Sequence, residues 1–436
     1  VLLLLLGLVA VLGPGAASAR ACDASNQHSF GISPGCLDLR ISAPPTQADV
    51  APDFFQAGGH PYEVVSTIRL NAPSESDPVH GPYWSPEPVR TLNIALSPGL
   101  VANLAAVPPC SREQLEGVGE NAECPPDSQV GLITLSLPLF GGLSNFRLPL
   151  FRAAAPAGVP ARFGFNMLGS VSVLDAELGP AGELLIQGAK MSELLPIAGM
   201  SVGLWGVPAD PAHDAERACP GQTPPTGSLF GILGPSCAAG LSPRALLRLP
   251  TSCSVPATSS VQVDSWLHPG EIQSSSVLVH HSPGLLGDPA AGSSYPAPYP
   301  GLAAEQWGAP QAFTGCEQVP FDPSLSLRPT SRSASTPTGL DLEVSFPQRG
   351  LEEPEAVAES DLAEGAIHLP PELSLNPAVA NGLTGCTAAE VDLDSSEEAR
   401  FPDSSKLGTT EMVSPLLSTP LTGSIYLASR DAGQTE

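Results

Sequence analysis

The sequence contains one stretch of itself twice, so it must fold into something that can be extended by copying. Ile94, Leu96, Pro98, Leu100 and Asn103 recur in order as Ile367, Leu369, Pro371, Leu373 and Asn376. The match resumes where Cys124-Pro125-Pro126-Asp127-Ser128-Gln129-Val130-Gly131 meets Phe401-Pro402-Asp403-Ser404-Ser405-Lys406-Leu407-Gly408. Further on, Ile425-Tyr426-Leu427 takes the place of Pro149-Leu150-Phe151. A module duplicated without any duplicated catalytic group points to a scaffold built by repetition.

Fifty prolines and forty-three glycines leave little room for long helices, because proline breaks the helical hydrogen-bond ladder and glycine weakens it. The expected class is all-β: tandem two-sheet, immunoglobulin-like β-sandwich modules with Pro/Gly-rich loops and very little helix. Alternation of apolar and polar residues predicts strands at Glu63–Leu70, Val89–Leu96, Val130–Leu137, Phe146–Phe151, Arg162–Met167 and Ser170–Leu178. Glu183–Gly188, Met200–Val207, Ser259–Trp266 and Leu340–Phe346 follow the same rule. Short helical turns are expected after Ser111 and Thr387, each with a capping-box partner three residues on, Gln114 and Glu390.

The organisation predicted is a signal peptide at 1–20, an N-terminal segment at 21–53 and a first repeat module at 54–215. An intervening disulfide-closed β-rich region at 216–329, a linker at 330–337 and a truncated second copy at 338–436 complete it. The apolar run Val1–Leu12 followed by Ala17-Ser18-Ala19 has the form of a secretory h-region and cleavage site. It is too short to span a bilayer, and no later segment is long and apolar enough to do so. No initiator Met or basic n-region precedes it, and the later strands of the first copy have no counterpart before Glu436. Both observations predict a fragment of a longer chain.

Nine cysteines in an exported chain predict disulfides. The candidates are Cys22 with Cys36, Cys110 with Cys124, Cys219 with Cys237, and Cys253 with Cys316. Cys386 is left unpaired: it corresponds to Cys110, but the counterpart of Cys124 is Phe401. A formal charge of -26 disfavours nucleic acid as a partner.

The stretches Gly58-Gly59-His60-Pro61-Tyr62, Ser97–Asn103, Cys124–Gly131, Leu204–Asp214, Pro250–Cys253 and Pro337–Asp341 resemble a group of large repeat-containing exported proteins of GC-rich actinobacteria. The resemblance covers most of the chain beyond about residue 54 and implies export and a continuation past Glu436. It implies no activity. Phe401, where the group's pattern has cysteine, departs from it.

Candidate chemistry is sparse. Gly199-Met200-Ser201-Val202-Gly203 fits the G-x-S-x-G of serine hydrolases, with Asp264 and His268 as conceivable partners, but strand-like residues follow where the elbow needs a helix. Asp210, His213 and Asp214 share one Pro-rich loop without matching a closed zinc spacing. His280 and His281 are adjacent, so on a strand they would point apart. Asp392, Asp394, Glu397 and Glu398 offer oxygen ligands of the kind calcium takes, without an EF-hand glycine. Trp84, Trp205, Trp266 and Trp307, with Tyr295 and Tyr299, are aromatic residues that sugars could stack on. No catalytic, cofactor or metal residue is assigned from these. The expected role is a non-catalytic, secreted or cell-surface modular protein, structural or adhesive, whose partner is a cell-envelope polysaccharide or protein. The alternatives are an extracellular carbohydrate- or calcium-binding module and a secreted hydrolase using Ser201.

Overall fold

The computed structural model describes residues 29–32, 36–43, 54–72, 84–117, 122–139, 142–167, 169–193, 196–219, 237–254, 257–279, 312–362, 365–369, 373, 382–387, 390, 400–417 and 419–429. The signal peptide expected at 1–20 lies outside them. Among the described residues no helix is long and apolar enough to cross a membrane.

In chain order the strands are β1 (Leu37–Ser42), β2 (Glu63–Arg69), β3 (Val89–Leu96), β4 (Val101–Ala102), β5 (Gln129–Leu139) and β6 (Gly142–Ala153). Then come β7 (Ala161–Met167), β8 (Ser170–Leu178), β9 (Leu184–Ala189), β10 (Gly199–Trp205), β11 (Leu247–Arg248), β12 (Thr258–Ser265) and β13 (Gln273–Leu278). Eleven of them form one antiparallel sheet in the order β1-β2-β10-β5-β6-β7-β8-β9-β3-β12-β13, while β4 pairs with β11. The edge strands β1 and β13 approach each other, so the sheet curls into a near-barrel.

Its interior is built by the alternation that the sequence carries. In β3, Val89, Leu92, Ile94 and Leu96 are buried while the residues between them are half-exposed. They meet Ile133 and Leu135 of β5, Phe163 and Phe165 of β7, and Val261 and Val263 of β12 in one core. Close approach fixes two glycines. A Cβ on Gly131 would lie 2.0 Å from the carbonyl oxygen of Gly203 in β10, and one on Gly206 would lie 1.7 Å from that of Pro61. The single α-helix of the described residues, α1 (Arg112–Glu116), starts with the expected capping box: Gln114 N donates to Ser111 Oγ and Ser111 N to the Gln114 side chain.

This architecture corrects the immunoglobulin-like sandwich. One sheet takes strands from the N-terminal segment (β1), the first module (β2 to β10) and the intervening region (β12 and β13), so the boundaries at 53/54 and 215/216 do not separate sheets. Alternation states that one face of each strand is buried. It does not state whether that face meets a second sheet or the far wall of the same one.

Four further strands form two separate hairpins: β14 (Ser324–Pro329) with β15 (Leu340–Ser345), and β16 (Lys406–Met412) with β17 (Leu421–Tyr426). Residues 330–337, expected as a linker, form the hairpin loop instead, closed where Thr330 N donates to Gly339 O and Gly339 N to Thr330 Oγ1. The pattern Leu37-Asp38-Leu39-Arg40 of β1 recurs as Leu325-Ser326-Leu327-Arg328 in β14. Leu37 faces Ile68, as Leu325 faces Val344. The strands resembling the first copy therefore begin at β14, ahead of the boundary expected at 338.

The second hairpin repeats β5–β6 in detail. A 3-10 turn enters each, at Pro126–Ser128 and Asp403–Ser405. Ser128 Oγ donates to Pro125 O and Ser405 Oγ to Pro402 O, both at 2.6 Å. Each ladder then slips at one bulge, between Gln129 and Gly131 and between Lys406 and Gly408. Cys110 bridges Ala153 as Cys386 bridges Ala428. These registers set Phe151 against Tyr426, one residue away from the sequence alignment, which put Leu150 there.

Candidate functional site

The described residue with the most unusual surroundings is His213. It sits in a 3-10 turn (Pro211–Glu216) entered from β10 and capped by Asp210, whose Oδ1 accepts from Ala212 N at 2.8 Å. Its ring is stacked between Tyr62, centroids 4.1 Å apart, and Trp205, 4.2 Å apart. The Arg217 guanidinium carbon lies over the Trp205 ring, 5.4 Å from its centroid. Trp205 and Arg217 are almost fully buried, as is His213 itself.

Arg217 fastens the loop by donating to Pro208 O at 2.7 Å and Pro126 O at 3.2 Å. Gln129 ties the same turn to β5: its Nε2 donates to the carbonyls of Gly131 and Glu216, and its Oε1 accepts from Ala218 N. Two ion pairs flank the stack, Arg147 with Glu216 and Arg40 with Glu63. Burial raises the Glu63 carboxyl above its ordinary range against the pull of Arg40, and raises the Tyr62 phenol, aided by Glu216 and Glu63. Burial, reinforced by Arg217, pushes His213 down to about 3, so the ring is neutral under ordinary conditions. Neither ring nitrogen has a hydrogen-bond partner in the protein. Six buried polar atoms without protein partners gather here: both His213 nitrogens, Trp205 Nε1, Asp127 Oδ1, Arg147 Nε and Glu216 Oε2. A neutral imidazole held between two rings is a buried packing element rather than an exposed acid or base.

The three polar residues of this loop have separate structural roles. Asp210 caps the turn, Asp214 faces Arg217 at 3.4 Å and His213 is enclosed by rings, so the three side chains do not converge. The hydrolase reading fails on geometry too. Ser201 lies mid-strand in β10, hydrogen-bonded on both sides to β2 and β5, and its Oγ pairs with Thr67 Oγ1 at 2.8 Å. No strand-to-helix elbow exposes it. Asp264 binds Arg90 and Gly270 N, while His268 binds Glu87. Trp205 is a core residue, not a platform; Trp266 donates to Met191 O at 2.9 Å with Arg90 over its ring; Trp84 is half-buried. His280, His281, Tyr295, Tyr299, Trp307, Asp392, Asp394, Glu397 and Glu398 lie outside the described residues.

The other stretch singled out in sequence, Gly58 to Tyr62, is a clasp. His60 Nδ1 lies 2.7 Å from Leu247 O and Nε2 2.7 Å from Gly350 O, joining β2's approach to two distant segments. Ala358 N donates to Gly58 O at 2.8 Å, and Arg248 forms a two-pronged pair with Asp361 at 3.0 and 2.7 Å. Glu359 accepts from the backbone N–H groups of Arg349 and Gly350. Residues 349–361 are thereby held on the first barrel. Sequence reasoning missed this contact, because nothing local to His60 marks partners so far along the chain.

The cysteines complete the picture. Cys110–Cys124, Cys219–Cys237 and Cys253–Cys316 are bonded, with Cα separations of 5.3, 5.8 and 6.1 Å. Cys36 is disulfide-bonded, and Cys22, its expected partner, lies outside the described residues. Cys386 is buried and free, its thiol donating to Ser405 Oγ at 3.0 Å. Where the first copy has Cys124, Phe401 stacks on Tyr426 at 4.2 Å. Comparison with protein-family models, curated proteins and solved structures finds no match for this chain.

Proposed function

We propose that this is an exported, non-catalytic scaffold protein that acts structurally or adhesively at or outside the cell envelope. The observation that carries the reading is the pairing of two unlike copies in one chain. The first is a filled, disulfide-stapled near-barrel, and the second repeats its hairpins with apolar faces turned outward. Disulfides support an oxidising compartment. The residues that sequence offered for catalysis at Ser201 are engaged in holding strands together, which supports a mechanical role for that region. Exposed apolar hairpins in an otherwise acidic chain favour association with other polypeptide.

Co-sedimentation of the purified chain with cell envelopes of its source tests this reading. Saturable pelleting is expected, and a chain that stays in the supernatant at all envelope concentrations overturns it. Repeating the assay with a calcium chelator separates an adhesive surface from one that needs the acidic residues near Asp392.

A further inference from the structure

We infer that His60 is a proton-operated latch: an imidazolium that fastens residues 349–361 to the first barrel and loosens them when it loses its proton. Both ring nitrogens face backbone carbonyl oxygens, Nδ1 that of Leu247 and Nε2 that of Gly350, each at 2.7 Å. A carbonyl oxygen only accepts, and a neutral imidazole has a single N–H. Either neutral tautomer therefore satisfies one contact and sets a nitrogen lone pair against an oxygen lone pair at the other. Only the doubly protonated ring donates to both, and hydrogen bonds made by the charged form favour that form. His60 is 6% exposed, so water does not relieve the mismatched contact of the neutral ring unless the clasp opens.

The surroundings decide which contact yields. Leu247 is fixed by the pairing of β11 with β4, by its own N–H on Gly206 O, and by Leu249 N on Gly59 O. Gly350 lies in a 3-10 turn (Arg349–Leu351) whose segment meets the barrel through two backbone bonds, Ala358 N to Gly58 O and Ala245 N to Glu352 O. Its ion pairs, Arg248 with Asp361 and Arg244 with Glu352, are open to solvent on the carboxylate side, at 60% and 39% exposure. Exposed pairs of this kind contribute little, so the Gly350 side is the one that lets go. Charged groups on the segments packed around the ring are Arg244, Arg248, Arg349, Glu352, Glu359 and Asp361, while Glu63, on its own segment, is engaged with Arg40. Glu359 is buried and accepts from Arg349 N and Gly350 N at 3.1 Å each, a carboxylate beside the turn that the imidazolium holds. Arg248 opposes a second cation, and its pairing with Asp361 offsets that opposition.

The latch does not depend on where the protein resides, so a failed pelleting assay leaves it standing. It is tested on the whole purified chain. Ring-nitrogen NMR at about pH 7, where an ordinary imidazole is mostly neutral, is expected to show a histidine with both nitrogens protonated that is absent from His60→Gln. Hydrogen exchange, corrected for the intrinsic pH dependence of the chemistry, gives the second readout. Protection at 349–361 should be greatest below about pH 6.5, fall by up to about tenfold per pH unit above it, and level off once the clasped ring is neutral. Residues 129–139 of β5 should hold their protection over the same range. His60→Gln should start at the weaker protection of 349–361 and show no slope. A His60 ring that is singly protonated at about pH 7, or protection at 349–361 that ignores pH, overturns the latch. Should His60→Gln fail to fold, judged by lost protection at 129–139, the pH profile of the parent chain still decides.

Discussion

The hairpins β5–β6 and β16–β17 enter through the same 3-10 turn, slip at the same bulge and are strapped by the same cysteine position, yet one is core and the other surface. Local sequence therefore determines the hairpin, and neighbours determine what the hairpin is worth. In β5 the apolar residues are covered by β10 and the far wall of the near-barrel. In β16–β17 the same pattern faces outward. Burying one large aliphatic side chain contributes about 1.5–3 kcal/mol, so the first copy draws its stability from a closed sheet, whereas the second relies on hairpin hydrogen bonds and the Phe401–Tyr426 stack.

Matched substitutions sharpen that contrast most. Leu135→Ala is expected to lower the stability of the barrel by about 2–5 kcal/mol, while the equivalent Met412→Ala stays within about 0.5 kcal/mol. Urea unfolding monitored by tryptophan fluorescence reads the first and hydrogen exchange the second. Similar costs at the two sites would break the comparison.

The disulfide gives the next effect. Replacing Cys124 by Ser is expected to cost the first copy about 3 kcal/mol in the chain-entropy account. The reverse change, Phe401→Cys, should let Cys386 pair, so that free thiols in the denatured, unreduced chain fall from one to none. A persisting thiol would mean that the two straps differ in geometry after all.

A third test concerns pH. The folded-state pKa of His213 lies at about 3, below its ordinary value near 6.5. The unfolded chain therefore binds the proton first as pH falls. The contribution of neutral His213 is complete above about pH 6.5 and is lost progressively toward pH 3, at about 1.4 kcal/mol per pH unit. His213→Phe, which keeps a ring between Tyr62 and Trp205, should flatten that slope relative to the parent. An unchanged slope would show that His213 is not the buried group responsible.

The smallest contrast lies at the paired glycines. Gly131→Ala sets a Cβ against the Gly203 carbonyl and is expected to cost more than about 1 kcal/mol, whereas Gly408→Ala is expected to be neutral or slightly stabilising. Equal effects would mean that the close approach of the Gly203 carbonyl is not what fixes glycine at 131.

Much of this was legible in the residues, and the rest failed for identifiable reasons. Val89–Leu96 alternates clearly enough that its strand bounds follow directly, and Ser111 with Gln114 marks the cap of α1. β13 was missed because Gln273-Ser274-Ser275-Ser276 has no buried face to advertise. β14 was missed because Thr330 to Thr336 reads as a linker, although its hydroxyls close a hairpin loop. Closure of the sheet left no mark in any single strand, since it depends on β1 meeting β13 across the whole fold. At the candidate site, sequence groups Asp210, His213 and Asp214 in one loop without assigning them a role, and nothing in that loop shows what encloses His213. Tyr62 and Trp205, which decide what His213 is, arrive through the β2–β10 pairing. The clasp at His60 needed Gly350, which no local pattern connects to it.

Native-state hydrogen exchange on the unliganded chain compares the two copies most directly. Amides of β5 at 129–139 should exchange only through global unfolding, and those of β16 at 406–412 through far cheaper local opening, several orders of magnitude faster. Equal protection in both strands would mean that the exposed hairpin is as firmly held as the buried one, and the contrast between the two would fall.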